Sequence, residues 1–449
     1  MSDYQLRNSI LDVLIRIDQD KGFSHLLIDH ELKSGKINAK DESLLTEVVY
    51  GTIQRKYTLD FYLEDFVNEK KKMDPWVRML LRMSVYQMVF LDKIPDHAII
   101  HEAVEIAKQR GHKGIASFVN GVLRSVQRKG VRETASIKDE TKRLAVETSH
   151  PEWLVKRWVS FYGVDTAKEM CEANLARKTH SVRVQPMRIS RDEAVDRLNE
   201  EGLKTRPSEF SRQGIIIEEG NVLKSSLYKE GYLTIQDQSS MLVAEMLRPE
   251  PGMKVLDACS APGGKATHIA EKMNNQGSVH AYDLHKKKVK LIDEKSEALE
   301  LSIIHANQAD ARKLREQHEE ESFDRILVDA PCSGLGVVRG KPEIKYGKEE
   351  ADIKRLSQIQ YDILDHLAPL LKQDGLLVYS TCTVDMEENE QVVEKFLENH
   401  QNFQVDDSFF DELPDAIKGS AGITEYGLQL FPHSFQTDGF FLSRLRRKS

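Results

Sequence analysis

From about residue 240 the chain alternates short, almost unbroken apolar runs with stretches of helical periodicity, an order few folds can accommodate. "KVLDACS" reads as a strand, "KATHIAEKM" as a helix and "SVHAYD" as a strand. A helix over "KKKVKLIDEKSEAL" and strands "SIIHAN" and "FDRILVDA" follow; then come a long helix at "LSQIQYDILDHLAPLL", the strand "GLLVYSTC" and a helix over "EENEQVVEKFL". Strands that are apolar along their whole length are those covered on both faces, as in a parallel sheet between helical layers. Residues 237–449 are therefore expected to form a doubly wound α/β sheet, whose ligands sit at the carboxyl ends of the strands. All the polar motifs discussed below fall at such ends.

The remaining chain divides into two parts. Residues 1–132 read as helices throughout, with apolar residues at helical spacing in segments such as "SLLTEVVYGTIQ", "WVRMLLRMSVYQMVFL" and "IASFVNGVLRSVQ". Basic residues gather there: Arg55, Lys56, Lys70, Lys71, Lys72, Lys108, Arg110, Lys113, Arg124, Arg128, Lys129 and Arg132. In a chain of net charge −8 this concentration favours a face that meets a polyanion. The polar stretch 133–150 is expected to be a linker or boundary. Residues 150–236 then carry two helices and a small α+β alternation, with strands at "SVRVQPM", "GIIIEEG" and "GYLTIQ" and a helix at "SRDEAVDRLNEEG". That order suits a small RNA-recognition-like unit, though without the aromatic strand such units use to stack bases.

Composition narrows the class. With 30% charged residues and no apolar run near the roughly 20 residues of a membrane helix, a soluble protein is expected. Four scattered cysteines make neither a disulfide framework nor a zinc pattern, which suits free thiols in a reducing cytoplasm and no metal. A monomer is expected.

The loop "DACSAPGGK" follows the first strand of the sheet and opens a helix. Small residues and paired glycines let backbone approach a ligand, and the helix amides face an anionic group. It matches neither the phosphate-binding P-loop nor the G-x-G-x-x-G dinucleotide pattern. Asp283 ends the second strand, where an acid receives ribose hydroxyls, and Asp310 lies past the third, where an adenine would rest. A strand-end aspartate can also be a helix cap, but two of them beside a glycine loop favour an adenosine-containing cofactor. NAD and S-adenosylmethionine both fit to this point.

Asp329 and Cys332 of "VDAPCSG" and Cys382 of "STCT" end neighbouring strands in such a sheet and would share one pocket. Carbon 5 of cytosine is too poor a nucleophile to accept a methyl group directly. Thiolate attack at carbon 6, assisted by an acid at ring nitrogen 3, converts it to an enamine-like nucleophile. A second thiol suits the later release step, so two cysteines can serve one reaction. Cys171 reads as an apolar core filler.

These residues resemble the Nol/Nop/Sun family of RNA cytosine-5 methyltransferases, through "QDQSS", "LDACSAPGGKATHIA", "AYDLHKKKVKLI", "VDAPCSGLGVVRGKPEIKY" and "STCTVDMEENEQVV". The segment "WVRMLLRMSVYQMVFLDKIPDHAIIHEAVEIAK" resembles a NusB-type module, and the combination is similar to the Sun-type branch of the family. The resemblance implies a class I methyltransferase domain acting on a cytosine of 16S (small-subunit) ribosomal RNA. It implies that Cys259, Ser260, Ala261, Pro262, Gly263, Gly264 and Lys265 hold the methionine end of S-adenosyl-L-methionine, with Asp283 on the ribose and Asp310 on the adenine edge. Asp329 would contact cofactor or cytosine, Cys382 would be the nucleophile and Cys332 would assist release. Ser260 stands where alanine is expected, a change between small residues. The alternatives are the same reaction on transfer RNA, a DNA methyltransferase with Cys332 as nucleophile, and a non-catalytic RNA-binding or antitermination factor.

Overall fold

A computed structural model describes residues 3–20, 22–35, 37–68 and 72–448. The chain forms two compact units: residues up to Ala176 together with Val338–Lys348, and Arg177–Val337 together with Glu349–Ser449.

The first unit is helical, with helices Asp3–Asp20, Ser24–Lys33, Glu42–Gln54, Lys56–Leu63, Pro75–Phe90, Asp96–Arg110, Lys113–Lys129, Glu140–Glu147 and Glu152–Ala173. Pro75 opens its helix at a position where the missing N–H costs nothing. In Lys113–Lys129 the buried residues Ala116, Val119, Val122, Leu123 and Val126 recur at helical spacing and face a core with Ile10, Leu14, Leu80 and Ile106. The helix Ser24–Lys33 falls within the region read as helical but outside the segments marked there by apolar periodicity. Part of the anticipated boundary is also structured: Asp139 caps helix Glu140–Glu147 by accepting from the Lys142 amide at 2.8 Å, and Leu144 and Ala145 are buried. Helix Glu152–Ala173 bends at Gly163, which adopts φ 80°.

The short segment Val338–Lys348 folds with these helices. The Tyr346 hydroxyl lies 2.9 Å from the Ile53 carbonyl and 3.1 Å from that of Ser149. The Lys345 ammonium, fully buried, donates to the Gln54 carbonyl at 3.0 Å, and burial lowers its pKa to about 7.

The second unit contains two sheets. The smaller has strands β1 (His180–Val184), β2 (Lys204–Pro207), β3 (Gly214–Glu219) and β4 (Leu233–Ile235), with helix Arg191–Glu200 between the first two. Its order is β2-β3-β1-β4 and every pair is antiparallel. The larger comprises β5 (Lys254–Asp257), β6 (Ser278–Asp283), β7 (Ile304–Gln308), β8 (Phe323–Asp329), β9 (Leu371–Thr381), β10 (Phe403–Val405), β11 (Ile423–Thr424), β12 (Gly427–Leu430) and β13 (Phe440–Arg447). Its parallel core runs β7-β6-β5-β8-β9, and β13 joins antiparallel to β9. Two apolar layers cover it, one around Leu242, Ala270, Ile292 and Leu442, the other around Ile326, Leu364, Val393 and Phe396. After β5 the chain moves outward through β6 and β7, then returns to the opposite side of β5 as β8. The crevice between the carboxyl ends of β5 and β8 is the switch point where such sheets bind ligands.

Candidate active site

Three strand ends build the site. At β5, the chain turns through Cys259–Gly263 into helix Gly264–Lys272, and Gly263 takes φ 92°, which other residues adopt only with strain. The turn closes by hydrogen bonds from the Gly263 amide to the Ser260 carbonyl and from the Ser260 amide to the Tyr282 carbonyl, each 2.7 Å. Ala261, Pro262 and Gly264 lie on this turn. Asp257, the last residue of β5, is fully buried, and desolvation raises its carboxyl to about 7. Burial likewise pushes the Cys259 thiol up, reinforced by Asp257 and Asp329.

At the end of β8, Asp329 Oδ2 accepts from Lys265 Nζ at 2.8 Å while Oδ1 accepts from Ser380 Oγ at 2.9 Å. Burial opposes the charge on Lys265, but Asp329 first, then Cys382 and Asp257, outweigh it and raise its pKa. The ammonium therefore stays charged beside the thiol of Cys382.

Asp329 pairs with Ser380 across β8 and β9, so the turns that follow lie on one rim. Cys332 and Cys382 meet there with their sulfurs 3.3 Å apart, a hydrogen-bonding contact between free thiols. The Cys332 thiol is pushed well above its ordinary pKa, first by its hydrogen bond to Cys382, then by burial and by Glu388. Either thiol can be the donor in this contact.

The Cys332 turn is held on several sides. Glu388 Oε2 accepts from the Ser333 amide at 2.8 Å and from Gln360 Nε2 at 2.9 Å, and Ser333 Oγ lies 2.8 Å from Thr383 Oγ1. The Gly336 amide donates to the Cys382 carbonyl at 3.0 Å, and the Gly439 amide donates to that of Gly336 at 2.8 Å. A Cβ on Gly336 would lie 1.9 Å from the Gly439 oxygen, so this crossing requires glycine. Asp385 and Glu388 have the spacing of a helix cap and its reciprocal partner. The next helix instead begins at Glu390, and Glu388 turns inward beneath the Cys332 loop. A buried glutamate in a polar run carries no periodic signal that would have revealed this.

The other sequence candidates lie along the same edge of the sheet. Asp283, largely buried at the end of β6, accepts from the His285 amide at 2.9 Å through Oδ1 and has no partner on Oδ2 among the described residues. Asp310 caps the turn Ala311–Glu316 and is gripped by Arg312, whose Nε and Nη2 lie 3.0 and 2.6 Å from its two oxygens. Cys171 is buried in the helical unit, where desolvation drives its thiol up to about 12. Among the described residues no cluster of His, Cys, Asp and Glu is placed to hold a metal ion, and no helix is long and apolar enough to cross a membrane.

Comparison with known proteins agrees along the whole chain. Residues 5–128 match the NusB family, 150–223 a ferredoxin-like domain described as RsmF/B-like, and 244–446 the family described as 16S rRNA methyltransferase RsmB/F. A relative from Bacillus subtilis (strain 168), named probable ribosomal RNA small subunit methyltransferase B, is 49% identical over 448 residues and covers 100% of both chains. The crystal structure of PH0851 superposes with a TM-score of 0.84 at 26% identity, over 100% of this chain and 99% of that one. A methyltransferase homolog from Pyrococcus horikoshii gives a TM-score of 0.59 at 27% identity, over 69% of this chain and 100% of its own. The two-thiol sheet edge described above lies inside the matched catalytic region, and with full-length identity of this order the chain belongs to the RsmB/F family of 16S rRNA methyltransferases.

Proposed function

We propose that this chain transfers a methyl group from S-adenosyl-L-methionine to carbon 5 of a cytosine in small-subunit ribosomal RNA, through a covalent Cys382–cytosine adduct. The observation that carries this reading is the Cys332–Cys382 pair, 3.3 Å apart and beside the Lys265–Asp329 ion pair. Ribosomal RNA enters as the substrate through the name of the Bacillus subtilis relative, a probable ribosomal RNA small subunit methyltransferase. The cytoplasm, where that RNA is made and assembled, is the proposed compartment.

The residues fit an S-adenosyl group. The glycine turn at β5 presents first-turn helix amides to a carboxylate, and Asp283 keeps one oxygen for ribose hydroxyls. Asp310, closed by Arg312, would have to release that arginine to meet an adenine amino group. S-adenosylmethionine, when bound, supplies an electrophilic methyl group.

The chain's own residues supply the covalent steps. Cys382, as thiolate beside the Lys265 ammonium, attacks cytosine carbon 6, and the ring electron pair moves to carbon 5. A hydrogen bond to the ring edge from the paired Asp329 and Lys265 would stabilise that charge. After methylation carbon 5 loses its proton to a base, the ring electrons return and the carbon–sulfur bond breaks. Cys332, holding a proton next to the departing sulfur, can protonate it and complete release.

The test is methyl-labelled S-adenosylmethionine with unmodified 16S ribosomal RNA, transfer RNA or duplex DNA, each then digested to nucleosides. Label in 5-methylcytidine from the ribosomal RNA alone is expected. Label in transfer RNA would move the substrate and keep the mechanism, and no label from any of the three would overturn it.

A further inference from the structure

The α+β sheet reaches into the turn that opens the catalytic domain. Arg183, on β1, is fully buried, as is Glu271 near the end of helix Gly264–Lys272. The guanidinium donates to both Glu271 oxygens, Nε at 2.8 Å and Nη2 at 2.9 Å. It also donates from Nη1 to Gln236 Oε1 and to the Gly264 carbonyl, the latter at 2.8 Å, and from Nη2 to Thr267 Oγ1 at 3.0 Å. Five bonds use all five guanidinium N–H groups, a rare state for any side chain and costly to assemble without a purpose. Glu271 is further held by Gln213 Nε2 at 2.9 Å, and Gln213 in turn donates to the Val184 carbonyl at 3.1 Å.

The Gly264 contact has a direct consequence. In a trans peptide the carbonyl and the following N–H point in opposite directions. Fixing the Gly264 oxygen on Arg183 therefore aims the Lys265 amide away from Arg183, and this amide lies in the first helical turn, where no preceding helical carbonyl can accept it. Thr267 Oγ1 adds a second tie, donating to the Gly263 carbonyl at 2.9 Å. Arg183 and Thr267 together set the peptide planes of the glycine turn from behind, without touching whatever lies in front of it.

We infer that Arg183 is a positioning residue for the methyl donor: the β1 strand holds the Gly263–Lys265 turn in its donor-binding geometry. The inference rests on the reading of that turn as the S-adenosyl site. An ordinary buried ion pair would only support folding, so the two roles separate experimentally. Arg183→Lys keeps a cation for Glu271 but loses the fork, and Thr267→Val removes the hydroxyl at nearly constant volume.

The experiment measures S-adenosylhomocysteine affinity by calorimetry, KM for S-adenosylmethionine and for RNA, kcat at saturating donor, and Tm, for the full chain and both variants. Donor affinity is expected to fall about tenfold in Arg183→Lys and about threefold in Thr267→Val, the loss of charge-assisted and neutral hydrogen bonds respectively. RNA KM and saturated kcat should stay within about twofold, since no transition-state contact is removed. Lower Tm with unchanged donor affinity in the variants would overturn the inference, as would a change confined to RNA KM. If Arg183→Lys does not fold, Thr267→Val alone decides. Failure of the wild-type chain to bind S-adenosylhomocysteine would instead remove the donor-site reading, and this inference with it.

Discussion

Cys382 and Cys332 are the same side chain 3.3 Å apart, so any difference in role must come from their surroundings. Lys265 interacts electrostatically with Cys382, whereas the Cys332 thiol is pushed up first by its hydrogen bond to Cys382, then by burial and Glu388. A neighbouring cation suits the nucleophilic role proposed for Cys382, a role that spacing alone left open between the two. Cys382→Ala is expected to lower turnover by at least about 10³-fold, the scale of losing a covalent nucleophile. Cys332→Ala should leave RNA attached as an adduct that survives a denaturing gel. An adduct with Cys382→Ala and none with Cys332→Ala would reverse the roles. Asp257 gives a second test at this scale. Its carboxyl titrates near 7 when folded, against about 3.9 in an unfolded chain. The neutral form's contribution is present below about pH 4 and is lost as pH rises through 7, because the charged form is disfavoured in the native site. Asp257→Asn, neutral at all pH, should therefore raise Tm relative to the wild type more at pH 8 than at pH 5. An offset that does not change with pH would mean that Lys265 fully compensates the charge.

Helix Ser24–Lys33 is an element whose start is stabilised from elsewhere in the chain. Phe23 at its N-cap offers no side-chain acceptor, and Glu343 accepts from the Ser24 amide at 3.0 Å and from Ser24 Oγ at 2.8 Å. Glu343→Ala should cost about 1 kcal/mol, the usual value of an N-cap, and speed hydrogen exchange of the first-turn amides. Unchanged exchange there would mean the helix stands without its cap. The dependence also explains why the sequence did not mark this helix individually: it lacks a local start signal. By contrast, the helices at Pro75–Phe90 and Lys113–Lys129 carry their own Pro or periodic apolar stripe and were legible. Strands β5, β6, β8 and β9 were equally legible, being apolar runs ended by polar motifs. β13 was not, because Arg444 and Arg446 interrupt "FFLSRLRR", although Arg444 is fully buried against Asp406 and Glu412. β2, "KTRP", is a short half-exposed edge strand with little apolar content to mark it. The site followed the same rule. Residues at strand ends could be placed from order alone, whereas Glu388, Ser380 and Arg183 depend on side-chain packing across distant segments.

The charge distribution of the whole molecule bears on how an acidic chain meets RNA. Five of the twelve basic residues gathered in the first third are engaged by the fold itself. Lys56 pairs with Asp18, Lys108 with Glu105, Arg110 with Asp12 and Arg132 with Glu64, while Arg55 stacks on Phe90 at 4.2 Å. Lys70 and Lys71 lie outside the described residues. Lys72, Lys113, Arg124, Arg128 and Lys129 are exposed, with no acidic partner among the described residues. Two of them, Arg128 and Lys129, lie in the last turn of helix Lys113–Lys129, where cations also suit the helix dipole, so a purely structural role competes with RNA binding. Salt dependence separates the two. If Arg124, Arg128 and Lys129 each neutralise a phosphate, changing all three to Glu should reduce the slope of log affinity against log salt by about 2 to 3. Affinity for the ribosomal RNA substrate, measured at several salt concentrations with wild type and triple variant, reads this directly. A slope unchanged within error would make these residues plain surface, and the polyanion-facing surface would have to be sought elsewhere.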